Sequence, residues 1–512
     1  MKFTALNVAW ALSRRSSVKR FHQGLGDPER VQQRWLKDFL RANEGTAYGR
    51  AHHFRELHSV ADFRSWVPIE NYESLTPWIE RIEEGQREVL TREPVLMLER
   101  TSGGVKGPKH IPYTQGLLSD FGAATGPWLD DLSLTFPRLF TTRQYWSLSP
   151  ASRDPEVTRG GLRIGLEDDT EYFDAGTRFA MKRLFAVDGS VGRMRDLELW
   201  RTRTLEQLVA AEDLGFISVW NPSFLTLLME ELVTKWASYA YPLEPKRRAQ
   251  IEDRFERAGG FVGEAIWPKL QLISCWTDAW AAQALPGLRR FFPTTPFQGK
   301  GLLATEGVVS FPLWGLAAPV AAVTSHFLEF VSLDDEHVFG VHELREGATY
   351  APILTTRGGF ARYRLADRVR CVGFHERAPL LRFEGRLDRG SDLRGEKLNA
   401  TFAENAVRTA LTEHTASFAL LAPDLSDPPR YVLYVEGATE PDRLAADVEQ
   451  RLCEAMHYRY ARELGQLGPV SPQLVRGGEQ RVLRELARRG QRLGDIKPSG
   501  FDPRPIWSDV FR

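Results

Sequence analysis

A stretch rich in glycine and hydroxyl side chains follows an apolar segment near residue 100. Residues 95–114 read VLMLERTSGGVKGPKHIPYT, so a strand-like run is followed by a turn and then by Lys109. Glycines let backbone N–H groups converge on an anion, hydroxyls donate hydrogen bonds, and a lysine supplies positive charge. The stretch therefore has the parts of a phosphate-binding loop, although it lacks the G-x-x-x-x-G-K-[ST] pattern of a Walker A loop. By itself such a turn is more often a plain connection between two elements.

Other patterns of reactive residues favour neither a transition-metal enzyme nor a hydrolase. The histidines include His52 and His53, but none has the H-x-x-x-H or His/Cys spacing of a metal site. No G-x-S-x-G elbow is present for a nucleophilic serine. The glycine-rich residues 160–169 lack the G-x-G-x-x-G pattern of dinucleotide-binding proteins. The loop at 95–114 thus stays the main local candidate for chemistry.

Strand-like and helix-like segments alternate through most of the chain, and they must position that loop. Apolar residues recur at helical spacing over 31–40, 78–84, 204–214 and 224–236. Short apolar runs typical of strands occupy 95–98, 270–274 and 369–374. This alternation predicts a large, layered α/β domain.

The C-terminal part of the sequence predicts a smaller α+β unit. Helical patterns cover 397–411, 443–464 and 479–489, and strand patterns cover 418–422, 430–436 and 473–475. The polar, Gly-containing stretch 385–395 is the expected boundary, with a hinge near Asp388. We therefore expect an N-terminal domain over residues 1–387 and a C-terminal domain over residues 388–512.

Composition and charge limit which partners and which cellular compartment we expect. The 512 residues carry 67 Lys+Arg and 67 Asp+Glu, so no basic excess exists to hold nucleic acid or an anionic membrane. The three cysteines lie far apart, which indicates a reducing compartment rather than a disulfide framework. The apolar run after Lys2 is too short to span a bilayer. We expect a cytoplasmic protein with small-molecule partners; the sequence does not indicate its oligomeric state.

Four further motifs follow this loop along the chain. They are QGKGLLATEGVVSFP at 298–312, TTRGGFARYRLADRVRCVGF within 354–374, FEGRLDRGSDLRGEKLN at 383–399 and GQRLGDIKP at 490–498. In this order and spacing they resemble the acyl-adenylate-forming superfamily, and specifically the Gretchen Hagen (auxin-responsive) family of acyl acid amido synthetases. The resemblance runs from GTAYGRAHHF at 45–54 to Lys497, and the middle segments are similar to the bacterial branch.

The resemblance implies a fold and a reaction. Members of the family have a large α/β domain with the nucleotide and acyl sites, and a smaller, mobile α+β C-terminal domain that acts as a lid. They activate a carboxylic acid with ATP as an acyl-adenylate, release pyrophosphate, and transfer the acyl group to an amine, usually an amino acid. ATP and Mg²⁺ are therefore the expected cofactors, and the expected partners are a carboxylic acid and an amine.

By the same resemblance, the glycine-rich loop is the phosphate loop of the family. The residues that match its two ends are Thr101, Ser102, Gly103, Gly107 and Lys109. Between them the family usually carries more Ser and Thr, whereas this chain has Gly104, Val105 and Lys106. Two hydroxyl donors are missing there, so the sequence leaves open whether the loop supports full activity.

The motif ATEG at 304–307 resembles the Thr-Glu motif of the superfamily. By that match Thr305 contacts the α-phosphate and Glu306 holds Mg²⁺, a hard cation suited to carboxylate and phosphate oxygens. The alternative is a helix with Thr305 as N-cap and Glu306 in its first turn. Leu302 occupies the place where many relatives have an aromatic residue against adenine.

Four further residues match functional positions of the superfamily. Asp367 in YRLAD matches the acceptor of both ribose hydroxyls, and Arg386 in GRLD matches a ribose- and phosphate-binding arginine. Lys497 in GDIKP matches the lysine that the lid brings to the acyl carboxylate and the phosphate. Lys397 in GEKLN follows the expected hinge and is assigned to the second conformation of the lid.

We therefore expect an ATP-dependent acyl acid amido synthetase with Thr305, Glu306 and Lys497 as its catalytic residues. One alternative is an acyl-adenylate enzyme that transfers to a thiol, such as coenzyme A or a carrier protein. Another is a nucleotide-binding relative that has lost catalysis, which the loop at 104–106 and Leu302 motivate and the intact motifs oppose. The sequence does not identify the acid or the amine.

Overall fold

The chain forms two compact units in the computed structural model. The structure describes residues 2–100, 109–147, 156–165, 184–194, 196–387, 390–396, 398–489, 491, 496 and 499–512. The first unit comprises Met1–Asp278, Ala284–Leu365 and Val369–Phe383; the second comprises Ala279–Gln283, Ala366–Arg368 and Glu384–Arg512. The domain boundary after residue 387 stays a prediction, and its hinge residue Asp388 lies outside the described residues.

Helices carry much of the described chain. Their bounds are α1 Lys2–Leu25, α2 Pro28–Asn43, α3 Ala47–Ala51, α4 Val60–Trp66, α5 Tyr72–Glu83, α6 Gln115–Thr135, α7 Leu197–Ala210, α8 Pro222–Ala240, α9 Pro245–Ala258, α10 Gly263–Ile266, α11 Leu285–Arg289, α12 Ala400–Glu413, α13 Pro441–Leu452, α14 Met456–Glu463, α15 Gly478–Arg488 and α16 Trp507–Phe511. Side-chain caps begin several of them: Thr114 accepts a hydrogen bond from Leu117 N at α6, and Asn221 accepts one from Ser223 N at α8.

Strands form several separate sheets. Their bounds are β1 Met97–Arg100, β2 His110–Tyr113, β3 Arg143–Trp146, β4 Glu156–Val157, β5 Arg163–Ile164, β6 Leu214–Ser218, β7 Leu272–Ser274, β8 Phe297–Gln298, β9 Leu303–Ala304, β10 Gly307–Val308, β11 Ser310–Phe311, β12 Val320–Ala321, β13 Phe327–Ser332, β14 Val338–Gly340, β15 Thr349–Thr355, β16 Tyr363–Arg364, β17 Asp367–His375, β18 Ala378–Arg386, β19 Gly390–Ser391, β20 Leu398–Asn399, β21 Phe418–Asp424, β22 Arg430–Glu436 and β23 Ser471–Leu474.

A parallel sheet with strand order β3-β6-β7-β8 lies in the first unit. Helices α7 to α11 lie in the connections between its later strands, as parallel neighbours require a crossover. All five residues of β6 are buried, which fits a strand covered on both faces.

A larger, mainly antiparallel sheet has the order β11-β12-β18-β17-β15-β13-β14, with β16 beside β15. Its core includes Phe330, Leu354 and Val369, all buried. A small sheet of order β2-β1-β5-β4 and the two-stranded ribbon β9-β10 complete the elements that position the candidate site in the first unit.

The second unit has its own core. Strands β21, β22 and β23 form a sheet in that order, and helices α12 and α13 pack in the same cluster of buried residues, which includes Leu421, Leu433 and Val448. The α+β composition expected for the C-terminal part is present here.

Most predicted elements are present, and two need correction. The helix predicted over 443–464 is two helices, α13 and α14, because the chain leaves helical geometry at Ala455, whose ψ is 118°. The helix predicted over 204–214 ends at Ala210, and Leu214 already begins the buried strand β6. The second error arises because a short apolar segment fits either a helix or a buried strand.

In the part of the chain that the structure describes, no helix is both long enough and apolar enough to span a membrane.

Candidate active site

The predicted phosphate loop joins two paired strands. Strands β1 and β2 are antiparallel, with Arg100 opposite His110 and Met97 opposite Tyr113. Residues 101–109 therefore connect the ends of a hairpin, and Lys109 is the last residue before β2. The loop residues Thr101, Ser102, Gly103 and Gly107 lie outside the described residues, so their assignment stays a prediction.

Lys109 is held by two tyrosines from separate elements. Its Nζ donates a hydrogen bond to the hydroxyl of Tyr363 over 3.1 Å. The same ammonium lies 5.6 Å from the ring centroid of Tyr72 and 5.8 Å from that of Tyr363, distances at which an aromatic face attracts a cation. Tyr72 in turn accepts a hydrogen bond from the backbone N–H of His110 over 2.7 Å. The position of the Lys109 charge is thus fixed by α5 and β16.

Thr305 and Glu306 form the tip of a tight hairpin rather than the start of a helix. They connect β9 to β10, with Ala304 opposite Gly307 across the ribbon. The hydroxyl of Tyr113 donates to the carbonyl oxygen of Thr305 over 2.7 Å, which ties this tip to the end of β2. The helical alternative for the ATEG motif is therefore wrong.

The ammonium of Lys109 lies over the ring of Tyr72, and the charge of Glu306 acts on the same tyrosine. Burial raises the pKa of Tyr72, and the negative charge of Glu306 is among the carboxylates that raise it further. Glu306 is 8 % exposed, which is little for a carboxylate. The structure thus brings together two of the predicted residues, one cationic and one anionic, beside the end of the predicted phosphate loop.

A buried histidine supports the Thr305–Glu306 hairpin from behind. A Cβ at Gly307 would lie only 2.9 Å from the Nε2 of His326, so glycine permits this close approach. Burial lowers the pKa of His326 to about 3, so its ring is neutral at physiological pH. The carboxylate of Asp120, on α6, lies 3.8 Å from its Nδ1 and binds the guanidinium of Arg357 at 3.0 Å. This packing fixes the hairpin against α6 and against His326, the residue that precedes β13.

Asp367 and Arg386 meet within the second unit. Asp367 is 3 % exposed, and its Oδ1 lies 4.0 Å from the Nη1 of Arg386. That distance is an ion pair without a hydrogen bond, and Asp367 Oδ1 has no hydrogen-bond donor in the described part of the chain. The carbonyl of Arg386 accepts from the hydroxyl of Thr401 over 2.7 Å, which positions its backbone. A buried carboxylate oxygen without a donor suits a ligand hydroxyl.

Two predicted lysines cannot be placed. Lys397 and Lys497 lie outside the described residues, so their roles remain predictions. Leu302, where relatives have an aromatic residue, is 5 % exposed and packs in the hydrophobic core of the first unit.

Sequence analysis missed the residues that support the predicted ones. Tyr72, Tyr113, His326 and Tyr363 all position a predicted residue, yet each comes from a different stretch of the chain. Tyr113 lies within the quoted loop and Tyr363 is the first residue of YRLAD, so both belong to a recognised motif. Tyr72 and His326 carry no local signal, because their contacts join residues far apart in sequence.

Comparison with known proteins identifies the family. The chain matches the GH3 family N-terminal domain over residues 17–244, the GH3 family central domain over 320–386 and the GH3 family C-terminal domain over 401–501. The chain belongs to the GH3 family. This is the Gretchen Hagen family that its motifs resemble, so that prediction is confirmed.

GH3 relatives align with nearly the whole chain. A probable indole-3-acetic acid-amido synthetase GH3.12 of Oryza sativa subsp. japonica is 24 % identical, over 93 % of this chain and 92 % of its own length. The jasmonoyl–L-amino acid synthetase JAR6 of Nicotiana attenuata is 22 % identical, over 97 % and 95 %. Both relatives are thus named as ligases that join an acid to an amine.

A solved GH3 structure has the same fold. The AtGH3.15 acyl acid amido synthetase, in complex with 2,4-DB, superposes with a TM-score of 0.84 at 18 % identity, over 98 % of this chain and 96 % of that protein. The prediction of a large α/β domain of the acyl-adenylate-forming type with a smaller α+β C-terminal domain is confirmed as the fold of this GH3 chain.

Proposed function

We propose that this GH3 protein is an ATP-dependent acyl acid amido synthetase. A carboxylate oxygen of the acid attacks the α-phosphorus of ATP, the bond to the β-phosphate breaks, and pyrophosphate leaves. The nitrogen of an amine, in this family usually an amino acid, then attacks the acyl carbon. The bond to AMP breaks, the nitrogen loses a proton, and the amide and AMP are released.

The observation that carries the proposal is the placement of Lys109 and Glu306 around Tyr72, beside the hairpin tip at Thr305. Adenylation brings the negative charges of a carboxylate and a triphosphate together, so it needs fixed positive charge and in-line placement. Lys109, held on two tyrosine faces, supplies a cation at a fixed position. Thr101, Ser102, Gly103 and Gly107 would supply hydroxyl and backbone donors from the loop that Lys109 closes.

The residues present fit a magnesium ion. Mg²⁺ is usually bound through one or two carboxylates together with substrate phosphates, and Glu306 offers one nearly buried carboxylate at the hairpin tip next to Thr305. When bound there, the ion neutralises phosphate charge. Thr305 would contact the α-phosphate from the same hairpin.

Asp367 and Arg386 fit the sugar of the nucleotide. The buried Oδ1 of Asp367 has no donor in the described part of the chain, and ribose hydroxyls would supply one. Arg386 would contact ribose or phosphate oxygens. Lys497, from the lid, would bridge the acyl carboxylate and the phosphate, and Lys397 would act in the second conformation.

An amine acceptor is better supported than a thiol. Of the two relatives reported above, one is named as an amido synthetase and the other as a jasmonoyl–L-amino acid synthetase, and both align with more than nine-tenths of this chain. We therefore assign the second step to an amine and keep transfer to a thiol as an outcome of the test.

The test is pyrophosphate release from ATP and Mg²⁺ in the presence of a panel of aromatic, aliphatic and fatty acids. Hydroxylamine traps an acyl-adenylate as a hydroxamate, and mass spectrometry after addition of amino acids or coenzyme A identifies the acceptor. We expect acid-dependent pyrophosphate release and an amide product. A thioester product instead would contradict the acceptor assignment.

The control is Lys497→Ala, which should abolish adenylate formation and leave ATP binding within about threefold, because this lysine acts from the lid. Unchanged turnover in this variant would refute the role of Lys497. ATP binding without pyrophosphate release, across the whole panel, would refute catalysis.

A further inference from the structure

A lysine to which the motifs assigned no role is buried in the first unit. Lys300 follows β8 and is 5 % exposed, and its Nζ donates a hydrogen bond to the Oγ of Ser218 over 2.8 Å. In the described part of the chain no carboxylate acts on its charge: burial and the thiol of Cys275 are the effects on this lysine. Lysine is almost never buried this far without a partner, because its charge loses the solvation of water.

Three indole rings surround this ammonium group. Its Nζ lies 5.3 Å from the ring centroid of Trp128, 5.9 Å from that of Trp146 and 4.9 Å from that of Trp220. Tryptophan faces favour a cation, so the cage stabilises the protonated form of Lys300. Burial acts in the opposite direction and lowers the pKa of Lys300 to about 7. The coupled titratable group is the thiol of Cys275, whose pKa burial raises to about 12, so it carries no charge at neutral pH.

Lys300 lies at the C-terminal edge of the parallel sheet. The last residues of the four strands are in register: Trp146 pairs with Ser218, Ser218 with Ser274, and Ser274 with Gln298. Residues in one such row share a face of the sheet. Ligands of open parallel sheets bind outside the carboxyl ends of the strands, which is where this row and Lys300 lie.

The row offers hydrogen-bond donors that lack acceptors. The indole Nε1 of Trp128 donates to Gln298 over 2.8 Å, and since an indole N–H can only donate, it fixes the amide oxygen towards Trp128. The Nε2 of Gln298 and the Oγ of Ser274 are both buried without a hydrogen-bond partner in the described chain. The ammonium of Lys300 donates one of its three hydrogens to the Oγ of Ser218. The available groups are donors and one cation, so they suit an anion.

We propose that Lys300, Ser218 and Gln298 form a subsite for a carboxylate that the acid substrate carries in addition to the one that is activated. The preferred acid is thus a dicarboxylate with a flat, apolar body that fits between the indole rings. This inference rests on the proposed function. The second carboxylate is inferred because the two cations have no contact residue in common: Lys109 contacts Tyr72 and Tyr363, whereas Lys300 contacts Ser218 and the three tryptophans.

The test compares terephthalate with 4-methylbenzoate, two flat acids that differ in one carboxylate. In the wild-type protein, kcat/KM for pyrophosphate release should be at least about tenfold higher with terephthalate, because a charge-assisted hydrogen bond is gained. Lys300→Met, which keeps the length of the side chain and removes the charge, should reduce that ratio at least tenfold. Lys269→Met removes an exposed lysine and should leave the ratio unchanged.

A second variant distinguishes the loss of the subsite from a folding defect in Lys300→Met. Gln298→Glu keeps the acceptor for Trp128 and places a carboxylate beside Lys300, so it should also remove the preference for terephthalate. A wild-type ratio of one or below would overturn the proposal, as would a Lys300→Met ratio equal to that of wild type.

Calorimetric titration with terephthalate in the absence of ATP separates the subsite from the proposed function. Binding that Lys300→Met weakens at least tenfold, in a protein that releases no pyrophosphate with any acid, would leave the subsite standing and refute the synthetase activity. In the opposite outcome, the protein releases pyrophosphate with many monocarboxylic acids while terephthalate fails to bind or binds independently of Lys300. That result would support the synthetase activity and refute the subsite.

Discussion

The hydroxyl of Tyr113 donates a 2.7 Å hydrogen bond to the backbone carbonyl of Thr305, a residue 192 positions later in the chain. This bond joins the strand that follows the predicted phosphate loop to the tip of the hairpin that carries the predicted Mg²⁺ ligand. This hydrogen bond therefore connects the two halves of the proposed phosphate site.

Replacing Tyr113 with Phe should separate these halves slightly. We expect a loss of about 1 kcal/mol in the free energy of unfolding and a several-fold fall in kcat for pyrophosphate release, because the Thr305 carbonyl loses its donor. Denaturant titration and steady-state kinetics measure the two effects. Tyr434→Phe is the matched control, since the hydroxyl of Tyr434 is buried without a hydrogen-bond partner in the described chain and its removal should cost little. Equal effects in both variants would speak against the role of the Tyr113 bond.

Glu306→Gln should raise the magnesium requirement. The change keeps the size of the side chain and removes the charge, so the concentration of Mg²⁺ that gives half-maximal activity should rise at least about tenfold. Pyrophosphate release at fixed ATP over a range of Mg²⁺ measures it, and Glu93→Gln, also in the first unit, serves as the control. An unaltered magnesium dependence would remove Glu306 from the metal site.

Asp367→Asn should weaken ATP binding about tenfold, because the amide is a poorer acceptor for two ribose hydroxyls than a carboxylate. The same change should not lower the free energy of unfolding, since it removes a buried charge whose Oδ1 has no donor in the described chain. Calorimetry with ATP and denaturant titration provide the two readouts. Unaltered ATP affinity would show that the ribose binds elsewhere.

Stability should rise with pH between about 7 and 10.5 because of Lys300. Burial lowers its pKa from 10.5 to about 7, so over this range the unfolded chain binds one more proton than the folded chain. The free energy of unfolding rises by at most about 1.4 kcal/mol per pH unit through this group. Below pH 7 both states are protonated, so Lys300 causes no pH dependence there. Denaturant titration at pH 7.5 and pH 9.5 should show a smaller rise in Lys300→Met than in wild type. The same pH dependence in both proteins would show that Lys300 keeps an ordinary pKa.

Terephthalate should counteract this effect of pH if it binds to protonated Lys300. Its affinity should fall as the pH rises through the pKa of Lys300, and the fall should be absent in Lys300→Met. Calorimetry at the same two pH values as the denaturant titrations provides the check.

The order of the elements could largely be predicted from the sequence because apolar periodicity is a local signal. The pattern over 430–436 predicted β22 with its observed bounds, and the pattern over 31–40 predicted the middle of α2. The break between α13 and α14 was missed because Cys453 to Ala455 interrupt the backbone without interrupting the apolar period. Element bounds therefore failed where tertiary packing, not periodicity, determines them.

Candidate residues were found where a motif is contiguous and missed where the chemistry is assembled across the chain. ATEG marked Thr305 and Glu306 directly, but no sequence pattern links Tyr72 to Lys109 or Ser218 to Lys300. Lys300 lies within the quoted QGKG motif and still went unremarked, because its burial and its three indole neighbours depend on folding. A lysine in a glycine-rich stretch is normally predicted to be exposed to solvent.

Lys300 lies in the connection from β8 to β9, and Thr305 follows β9 five residues later, so acid recognition and phosphate chemistry depend on one short piece of backbone. Within it Gly301 has a φ of +82°, and a Cβ there would lie 2.5 Å from the carbonyl oxygen of Ser310. An engineer who wishes to change the acid without disturbing the nucleotide should therefore leave this connection intact. The tryptophans at 128, 146 and 220 come from other elements, and varying them would reshape the pocket wall while the reactive hairpin keeps its geometry.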